Sequence, residues 1–203
     1  MKTLIIDYGM GNLCSVLRAF EKCGADVGIT TKPDELQYAD NIVLPGVGAF
    51  PQAMNNLAKY GWKEELDELV IKEGIPILGI CLGMQLFADC SSEGGENKGL
   101  GYIHGRIVRF DEQIGDRIPH VGWNDVVIEN DSPLLKGIST GVNFYFVHSY
   151  HFEVDDVNDV LTSTPYCGGF VSAIGKNNIY GTQFHPEKSQ KAGFQIIKNF
   201  IGL

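Results

Sequence analysis

One cysteine of this sequence lies in surroundings typical of a nucleophile. Cys81 is the centre of the segment Gly79-Ile-Cys-Leu-Gly83 and directly follows the apolar run Pro76–Ile80. Such a segment between a strand and a helix forms a tight, strained turn that raises the nucleophile above the sheet, and its flanking positions must be small. The helix start behind the turn favours the reactive thiolate. We therefore predict a nucleophilic Cys81; the alternative is a buried structural cysteine in a glycine-rich turn.

The segment His185-Pro-Glu187 supplies the base that this nucleophile needs. It follows the apolar run Ile179–Phe184. Residues i and i+2 of an extended segment project to the same side, so Glu187 can orient the imidazole and stabilise its protonated form. A surface histidine beside a carboxylate is the alternative. Together with the Cys81 turn, the motif predicts general-base catalysis, which contributes roughly 10²–10⁴-fold in rate.

A second glycine-rich turn is a candidate oxyanion hole. The segment Pro45-Gly-Val-Gly48 ends another apolar run. Its backbone N–H groups, with that of Leu82 after the nucleophile, can stabilise negative charge on a carbonyl oxygen, and its glycines permit a peptide flip. A phosphate-binding loop would require a third glycine and a Gly-Lys-Ser/Thr sequence, both absent here. The predicted oxyanion residues are Gly46, Val47, Gly48 and Leu82.

Two other groups of residues suggest ligand binding without fitting its pattern. Gly9-Met-Gly11 lacks the third glycine of a dinucleotide-binding loop, because position 14 is Cys14. His148 and His151 would face opposite sides of one strand, and a thiol–imidazole pair is incompatible with a saturated metal site. We therefore expect no cofactor and no metal bound by His148, His151, His185 and Glu187.

The first half of the sequence alternates apolar runs with amphipathic segments. This alternation predicts βαβ units and a parallel sheet, which would bring the catalytic turns to one edge. The predicted strands are Thr3–Asp7, Asp26–Thr30, Asn41–Leu44 and Pro76–Ile80, and the predicted helices are Asn12–Cys23, Trp62–Lys72 and Gly83–Cys90.

The second half changes to strands joined by short turns, after a polar loop at Ser91–Gly99. The predicted strands are Ile103–Phe110, Val126–Glu129, Phe144–Tyr150, Val160–Thr164, Phe170–Ile174 and Ile179–Phe184, with a hairpin at Asn177-Asn178. A final helix over Lys191–Ile201 is expected to bury Phe194, Ile197 and Ile201, with Phe200 as a further candidate. The expected fold class is α/β: a mixed, mainly parallel central sheet flanked by helices, with an antiparallel extension. We expect a single domain over residues 1–203.

Composition excludes several classes of function. The 203 residues carry a net charge of −9, from 16 basic and 25 acidic side chains, which disfavours nucleic acids and anionic membranes as partners. The five cysteines form no C-x-x-C pair, so a zinc ribbon or thioredoxin-type motif is not expected. The early charge at Asp7 interrupts any signal peptide, and the apolar stretch Ile75–Ala88 is too short to span a bilayer. We expect a cytoplasmic protein.

Two motifs together resemble the class I, or triad, glutamine amidotransferases: Gly79-Ile-Cys-Leu-Gly-Met-Gln85 and Gln183-Phe-His-Pro-Glu187. Further stretches are similar to the glutaminase subunits of imidazole glycerol phosphate synthases; they are Asp7–Asn12, Pro45–Phe50, Pro119–Asn124 and Tyr145–Tyr150, with the continuation Lys188–Gln190. The similarity extends over essentially the whole chain. Val121 is the one departure, because the family often has methionine there.

The resemblance implies a role for each residue of the motifs. Cys81 attacks the side-chain amide of L-glutamine, His185 protonates the leaving ammonia and then activates water, and Glu187 orients His185. Gly48 and Leu82 fall where the oxyanion donors are expected. The residues that the resemblance places around the substrate are Gln85, Glu93, His148, Ser149 and Tyr150.

The resemblance also implies a partner. Free ammonia would be lost to water, and one domain accounts for this chain, so we expect the acceptor site on a second polypeptide. The family implies a heterodimer with a (β/α)₈ cyclase subunit, which receives ammonia through its barrel and forms imidazole glycerol phosphate and an aminoimidazole carboxamide ribotide in histidine biosynthesis. The residues implied at the interface are Pro119, His120, Trp123, Asn124 and Lys188.

Three alternatives stay open on the sequence. A paralogous glutaminase could supply ammonia to an amidotransferase of surface-sugar biosynthesis, which neighbouring genes would reveal. A cysteine hydrolase or peptidase could use the same turn, and a covalent glutamine analogue would then fail to label Cys81. A non-catalytic binding module is disfavoured by the complete Cys–His–Glu set.

Overall fold

The computed structural model describes residues 1–114 and 116–203 and contains a large mixed sheet with helices on both faces. The first half comprises β1 (Lys2–Ile6), α1 (Leu13–Lys22), β2 (Asp26–Thr30), β3 (Asn41–Gly46), α2 (Phe50–Lys59), α3 (Trp62–Leu66), β4 (Ile77–Cys81) and α4 (Leu82–Gln85). A π-helical segment, Asp67–Lys72, continues α3.

The second half consists mainly of strands. They are β5 (Cys90–Ser91), β6 (Asn97–Lys98), β7 (Gly105–Arg109), β8 (His120–Asp125), β9 (Val127–Ile128), β10 (Asn143–His148), β11 (Tyr150–Val154), β12 (Val160–Thr164), β13 (Phe170–Lys176) and β14 (Ile179–Thr182), followed by α5 (Gln190–Phe200). A short 3₁₀ turn, Pro186–Lys188, separates β14 from α5.

Five neighbouring strands of the large sheet are parallel, in the order β2-β1-β3-β4-β14. The register places Gly46 of β3 opposite Cys81 of β4, and Ile80 opposite Thr182 of β14. Because parallel strands end at the same edge, the segments that follow β3, β4 and β14 meet there. Ligand sites of open α/β sheets lie at this carboxyl edge.

Antiparallel strands extend the sheet beyond β14. Strand β13 pairs with β14, β11 pairs with β13, and β7 pairs with β11. Strands β8 and β10 form a separate antiparallel pair, which we call the ribbon. The ribbon lies over the carboxyl edge, because His148 at the end of β10 borders the same cleft as Cys81.

The parallel strands are apolar on both faces because each face is covered by helices. In β1, Leu4 and Ile6 pack into the cluster that contains α2 and α3, whereas Ile5 packs into the cluster with α1 and α5. Burial of each large apolar side chain contributes roughly 1.5–3 kcal/mol, so the central strands are firmly held. No helix of residues 1–114 or 116–203 is long and apolar enough to cross a membrane.

The predicted fold class is confirmed, with a mostly parallel mixed sheet flanked by helices. The predicted helix Gly83–Cys90 is too long: α4 ends at Gln85 and Cys90 lies in β5. The helix stops because the backbone carbonyls of Leu86 and Phe87 accept hydrogen bonds from residues 100, 102 and 103. Tertiary pairing therefore replaces the next helical turn.

Other elements also differ from the prediction. Phe144–Tyr150 is divided between β10 and β11, with Ser149 at the break. The sequence reading missed α2 and β8, although Phe50, Ala53 and Leu57 have helical spacing and a proline stands in the first turn of α2. In α5 the deepest apolar side chains are Ile196, Ile197 and Phe200, whereas Phe194 and Ile201 are only half-buried.

Candidate active site

The end of β4 holds Cys81 in a strained backbone conformation. Its φ is 55° and its ψ is −108°, a region that L-residues avoid at a cost of about 1–3 kcal/mol. The flanking glycines make this turn sterically possible. A Cβ at Gly83 would lie 1.8 Å from the carbonyl oxygen of Leu44, and one at Gly79 would lie 2.7 Å from the backbone of Gly83. The turn therefore projects the sulfur from the strand end.

The surroundings of the sulfur are polar on one side. The thiol donates a long hydrogen bond to the carbonyl oxygen of Val147 at 3.9 Å, and Nε2 of Gln183 donates to Sγ at 3.6 Å. The helix behind Cys81 is a single turn, so a macrodipole contributes less here than a full helix would. The groups near the sulfur that can stabilise its negative charge are therefore mainly the imidazole of His185 and the side-chain amide of Gln183.

His185 lies immediately beyond β14 and forms a buried pair with Glu187. The Nδ1–Oε1 distance is 2.8 Å, and the two side chains are 3% and 2% exposed. The pairing depends on the Pro186–Lys188 turn, which brings Glu187 back to the ring; the expected extended segment is therefore wrong, although the two side chains meet. Ser189 anchors this turn by donating to the carbonyl oxygen of His185 at 2.6 Å.

The second ring nitrogen of His185 is available for proton transfer. Nε2 is buried and has no hydrogen-bond partner among the described residues. Burial lowers the pKa of His185, but the charge of the nearby Cys81 sulfur, followed by the hydrogen bond and charge of the Glu187 carboxylate, outweighs this and raises the pKa to about 10. The imidazole is therefore held in its protonated form when the sulfur is a thiolate.

Cys81 and His185 border one cleft of about 320 Å³. Its size suits a small molecule. The cleft is lined by Val47, Gly48, Cys81, Leu82, Gln85, Glu93, Val147, His148, Ser149, Tyr150 and His185. Gly46 and Glu187 lie behind its wall, in a small adjoining cavity.

The turn after β3 uses its two glycines differently. Gly46 is required for packing, because a Cβ there would lie 2.7 Å from the Tyr8 hydroxyl and 2.9 Å from Leu82 Cβ. Gly48 is required for backbone conformation, with a φ of 113°. Gly48 and Leu82 both border the cleft beside Cys81.

Two polar side chains of the cleft already make hydrogen bonds within the protein. Nε2 of Gln85 donates to the carbonyl oxygen of Tyr150 at 3.0 Å and to Oε1 of Gln183 at 2.9 Å. Oε2 of Glu93 accepts from the backbone N–H of Phe50 at 2.8 Å and thereby caps α2. The amide oxygen of Gln85 and the second oxygen of Glu93 have no side-chain or backbone donor among the described residues.

His148 is buried and electrically neutral. Its Nδ1 lies 2.8 Å from the carbonyl oxygen of Tyr150, and its Nε2 lies 3.1 Å from Nδ1 of His120. Burial lowers the pKa of His148 to about 3 and that of His120 to about 4. His151 instead stacks on Phe110 at 4.7 Å. The described part of the chain contains no group of three or more histidine, cysteine and acidic side chains that could hold a metal.

The outer face of the ribbon carries exposed apolar side chains. Trp123 is 47% exposed, and its ring meets Tyr145 edge-on at 6.1 Å. Lys188 lies over the Tyr145 ring at 5.7 Å, and Pro119 is exposed. His120 differs from the interface expectation: it is 3% exposed and points inward, because side chains alternate along β8. Asn124 is half-buried on the same inward side.

Sequence reasoning missed two residues of the site. Val147 borders the cleft and accepts from the Cys81 thiol through its carbonyl oxygen. Gln183 contacts the sulfur directly, since it follows β14 next to the end of β4. The position of Gln183, two residues before His185 in the second motif, was a usable signal; the contact of a backbone carbonyl carries no signal in side-chain types.

Comparisons with known proteins agree with this geometry. The model of the family described as "Glutamine amidotransferase class-I" matches residues 4–202. The chain is 48% identical to "Imidazole glycerol phosphate synthase subunit HisH 1" of Campylobacter jejuni (strain RM1221) over 98% of each chain. It is 45% identical to "Imidazole glycerol phosphate synthase subunit HisH" of Archaeoglobus fulgidus, over 98% of this chain and 97% of that one.

A solved structure shares the fold at lower sequence identity. "Structure of PurLQS from Thermotoga maritima" contains a chain with a TM-score of 0.80 and 18% identity, covering 99% of this chain and 97% of that one. The fold, the family match and the full-length relatives point in the same direction. The chain belongs to the class-I glutamine amidotransferase family and, within it, to the group of imidazole glycerol phosphate synthase HisH subunits.

Proposed function

We propose that this chain is the glutaminase subunit of an imidazole glycerol phosphate synthase. It hydrolyses the side-chain amide of L-glutamine to glutamate and ammonia, and a cyclase subunit uses the ammonia in histidine biosynthesis. The printed names of the full-length relatives support this assignment, and so does the composition of the cleft. We treat residues 1–203 as one amidotransferase domain, in keeping with the family match over 4–202.

The first half-reaction forms a thioester on Cys81. The thiolate attacks the amide carbon of glutamine, and the carbonyl oxygen becomes an oxyanion near the backbone N–H groups of Gly48 and Leu82. The tetrahedral intermediate collapses as the C–N bond breaks, and His185 gives its Nε2 proton to the leaving nitrogen. Ammonia departs, and the glutamyl group stays on the sulfur.

The second half-reaction releases glutamate. His185, now neutral, takes a proton from a water molecule that attacks the thioester carbon, and the C–S bond breaks to restore the thiolate and the imidazolium. Glu187 accepts the hydrogen bond from Nδ1 throughout, so that the proton transferred is always the one on Nε2. No oxidant, metal or external cofactor enters this balance.

One observation carries the proposal: a buried His185–Glu187 pair leaves one imidazole nitrogen unpartnered in the cleft that contains the strained Cys81. Among the residues that the structure describes, His120 and His148 have both ring nitrogens in hydrogen bonds, and the unpartnered Nδ1 of His151 belongs to a ring that makes no pair with a buried carboxylate and does not border the cleft. Four described non-glycine residues have positive φ (Cys81, Cys167, Asn177 and Gln190), and of these only Cys81 borders the cleft.

The polar groups of the cleft suit an amino acid. The second oxygen of Glu93 and the amide oxygen of Gln85 are acceptors suited to an α-ammonium group. His148, Ser149 and Tyr150 also line the cleft and complete the set proposed for glutamine binding. A cleft of about 320 Å³ that holds two such acceptors and the nucleophile favours a small substrate over a polypeptide, which disfavours a peptidase.

A (β/α)₈ cyclase subunit is the proposed partner, docked as a heterodimer on the outer face of the ribbon. Trp123 is a large, half-exposed aromatic side chain, the type that most often anchors an interface. Pro119 and Lys188 flank it on the exposed side. The neighbouring inward residues, His120 and Asn124, would support this surface from beneath.

The proposal is tested with the chain and its cyclase purified together. Glutamine-dependent formation of imidazole glycerol phosphate should require both proteins, and glutamine hydrolysis should rise sharply when the cyclase and its ribotide ligand are added. Cys81→Ala should abolish the glutamine-dependent reaction and leave the ammonia-dependent reaction intact. Equal hydrolysis with and without the cyclase, or glutamine use by Cys81→Ala, would reject the proposal.

The names of the relatives suggest one alternative, in which a different protein accepts the ammonia. Names such as "HisH 1" and "HisH 2" carry copy numbers, so related organisms hold more than one such subunit. A paralogue serving a surface-sugar amidotransferase would retain Cys81-dependent glutaminase activity without stimulation by the histidine-pathway cyclase. The same assay, repeated with the product of the neighbouring gene, distinguishes the two acceptors.

A further inference from the structure

The inner face of the ribbon contains two hydrogen-bonded polar side chains, His120 and Asn124, that the reaction above does not use. Nδ2 of Asn124 lies 3.3 Å from Nε2 of His120. Nδ1 of His120 lies 3.1 Å from Nε2 of His148, and Nδ1 of His148 lies 2.8 Å from the carbonyl oxygen of Tyr150. We call this series Asn124–His120–His148–Tyr150 the relay.

The direction of every hydrogen bond in the relay follows from its last member. A carbonyl oxygen only accepts, so Nδ1 of His148 carries the proton and, in the neutral ring, Nε2 accepts. Nδ1 of His120 must then donate, and its Nε2 accepts from the Asn124 amide. Burial supports the neutral forms, because it lowers the pKa of both imidazoles well below 6.5.

The relay continues from Tyr150 to the nucleophile. The Tyr150 carbonyl oxygen also accepts from Gln85, whose Nε2 donates in turn to Oε1 of Gln183. Nε2 of Gln183 donates to the sulfur of Cys81 at 3.6 Å. Polar contacts therefore run without interruption from strand β8 to the reacting atom.

Strand β8 links the exposed surface of the ribbon to the relay. His120 and Asn124 alternate along the strand with Val121 and Trp123, which are 57% and 47% exposed. One strand thus presents its outer side chains to solvent and its inner side chains to the relay. A displacement of β8 relative to β10 would change the distance between His120 and His148.

We propose that His120 and Asn124 are positioning residues for the glutaminase reaction: the Asn124 amide fixes the tautomer of His120, which donates to His148 and so holds the Tyr150 carbonyl and Gln85 in place beside the cleft. This inference rests on the proposed function of Cys81. It adds two residues that touch neither substrate nor nucleophile. The coupling passes through hydrogen-bond donation, not through charge.

Two variants of His120 separate donation from packing. The ring stacks on Tyr166 at 3.9 Å and on Phe146 at 4.9 Å. His120→Phe keeps an aromatic ring and removes the donor, whereas His120→Asn loses the ring and retains an N–H donor near the Nδ1 position. If donation matters, kcat/KM for glutamine falls about tenfold in His120→Phe and recovers in His120→Asn. If packing alone matters, the order reverses.

A variant of Asn124 tests the tautomer. Asn124→Asp places an acceptor against Nε2, which draws the proton of His120 to that nitrogen and leaves two acceptors facing each other at His148. We expect about a tenfold rise in the KM for glutamine in the complex with the cyclase, and ¹⁵N spectra of the histidine rings that show Nε2–H at His120. Asn143→Asp lies opposite Asp125, at the end of β10 farthest from both rings, so it adds the same charge away from them and should change neither.

The outcomes are separable from those of the proposed function. Loss of Cys81-dependent hydrolysis in the wild-type complex would overturn the proposed function itself. Wild-type hydrolysis together with unchanged kinetics and unchanged ¹⁵N spectra in Asn124→Asp would overturn the positioning role alone. The melting temperature of each variant and its affinity for the cyclase in calorimetry should equal those of the wild type, which shows that the variants fold and bind the cyclase.

Discussion

Substitution of Gly48 by alanine isolates the contribution of the turn after β3. Gly48 has a φ of 113°, which an L-residue adopts only with strain of about 1–3 kcal/mol. The added Cβ would lie 2.8 Å from Cε of Met10, but that methyl group is the end of a flexible side chain and can move. The strained backbone conformation, more than the contact with Met10, therefore determines the effect of the Gly48→Ala substitution.

The turn has room to relieve the strain by rotating. The neighbouring Val47 side chain is 43% exposed, so few packed atoms oppose a change of conformation at this point. Rotation would turn the Gly48 N–H away from the oxyanion. Loss of one such donor lowers kcat about 10²–10³-fold, and KM changes little because the oxyanion exists only after attack. We expect this pattern in steady-state glutamine hydrolysis by the complex with the cyclase.

Gly24→Ala is the matched control. Gly24 also has a positive φ, 89°, and a Cβ there would meet no atom within 4 Å, at a site beyond the end of α1. It should lower the melting temperature by a few degrees with kcat unchanged. If Gly48→Ala loses stability in the same way and keeps kcat within threefold of the wild type, the Gly48 N–H takes no part in catalysis.

The remaining predictions concern the base, the tight turn and the partner surface. Glu187→Gln keeps the side-chain volume but removes the carboxylate that raises the pKa of the neighbouring imidazole, so that pKa should fall in an NMR titration and kcat should drop about 10–100-fold. Gly83→Ala places a Cβ 1.8 Å from a backbone oxygen and should destabilise the protein by about 3 kcal/mol or more in urea unfolding, whereas Gly28→Ala, with its nearest atom at 3.6 Å, should cost far less. Trp123→Ala should weaken cyclase binding about 30-fold in calorimetry and leave the melting temperature of the isolated chain unchanged; Val157→Ala, also exposed, should do neither.

The parts of the fold that could be predicted from the sequence are those in which the local residue pattern agrees with the packing in the folded protein. Strands β1, β3 and β4 are short, uninterrupted apolar runs because helices cover both faces, and such runs are visible in the sequence. The Cys81 turn was predictable because steric exclusion acts on the adjacent residues themselves. Its glycines are required whatever lies farther away in the chain.

The errors arise where distant contacts decide the structure. Helix α4 stops at Gln85 because carbonyl groups beyond it are used by the segment around residues 100–103, which no local pattern encodes. The inward direction of His120 depends on how β8 pairs with β10, and β8 itself was not predicted. Whether a glycine serves packing, like Gly46, or conformation, like Gly48, likewise appears only when neighbours and dihedral angles are known.

The ribbon explains how one short pair of strands can serve both the partner and the chemistry. A strand buried on both sides could not dock a partner, and one exposed on both sides could not support the cleft. In β8 the twofold alternation places Trp123 outside and His120 inside, and in β10 it places Tyr145 outside and His148 inside. Because the carbonyl of Val147, between them, contacts the sulfur of Cys81, a shift of the ribbon reaches the nucleophile by two routes, the backbone of β10 and the relay. Variants of the relay should therefore reduce, and not eliminate, the stimulation of glutamine hydrolysis by the cyclase.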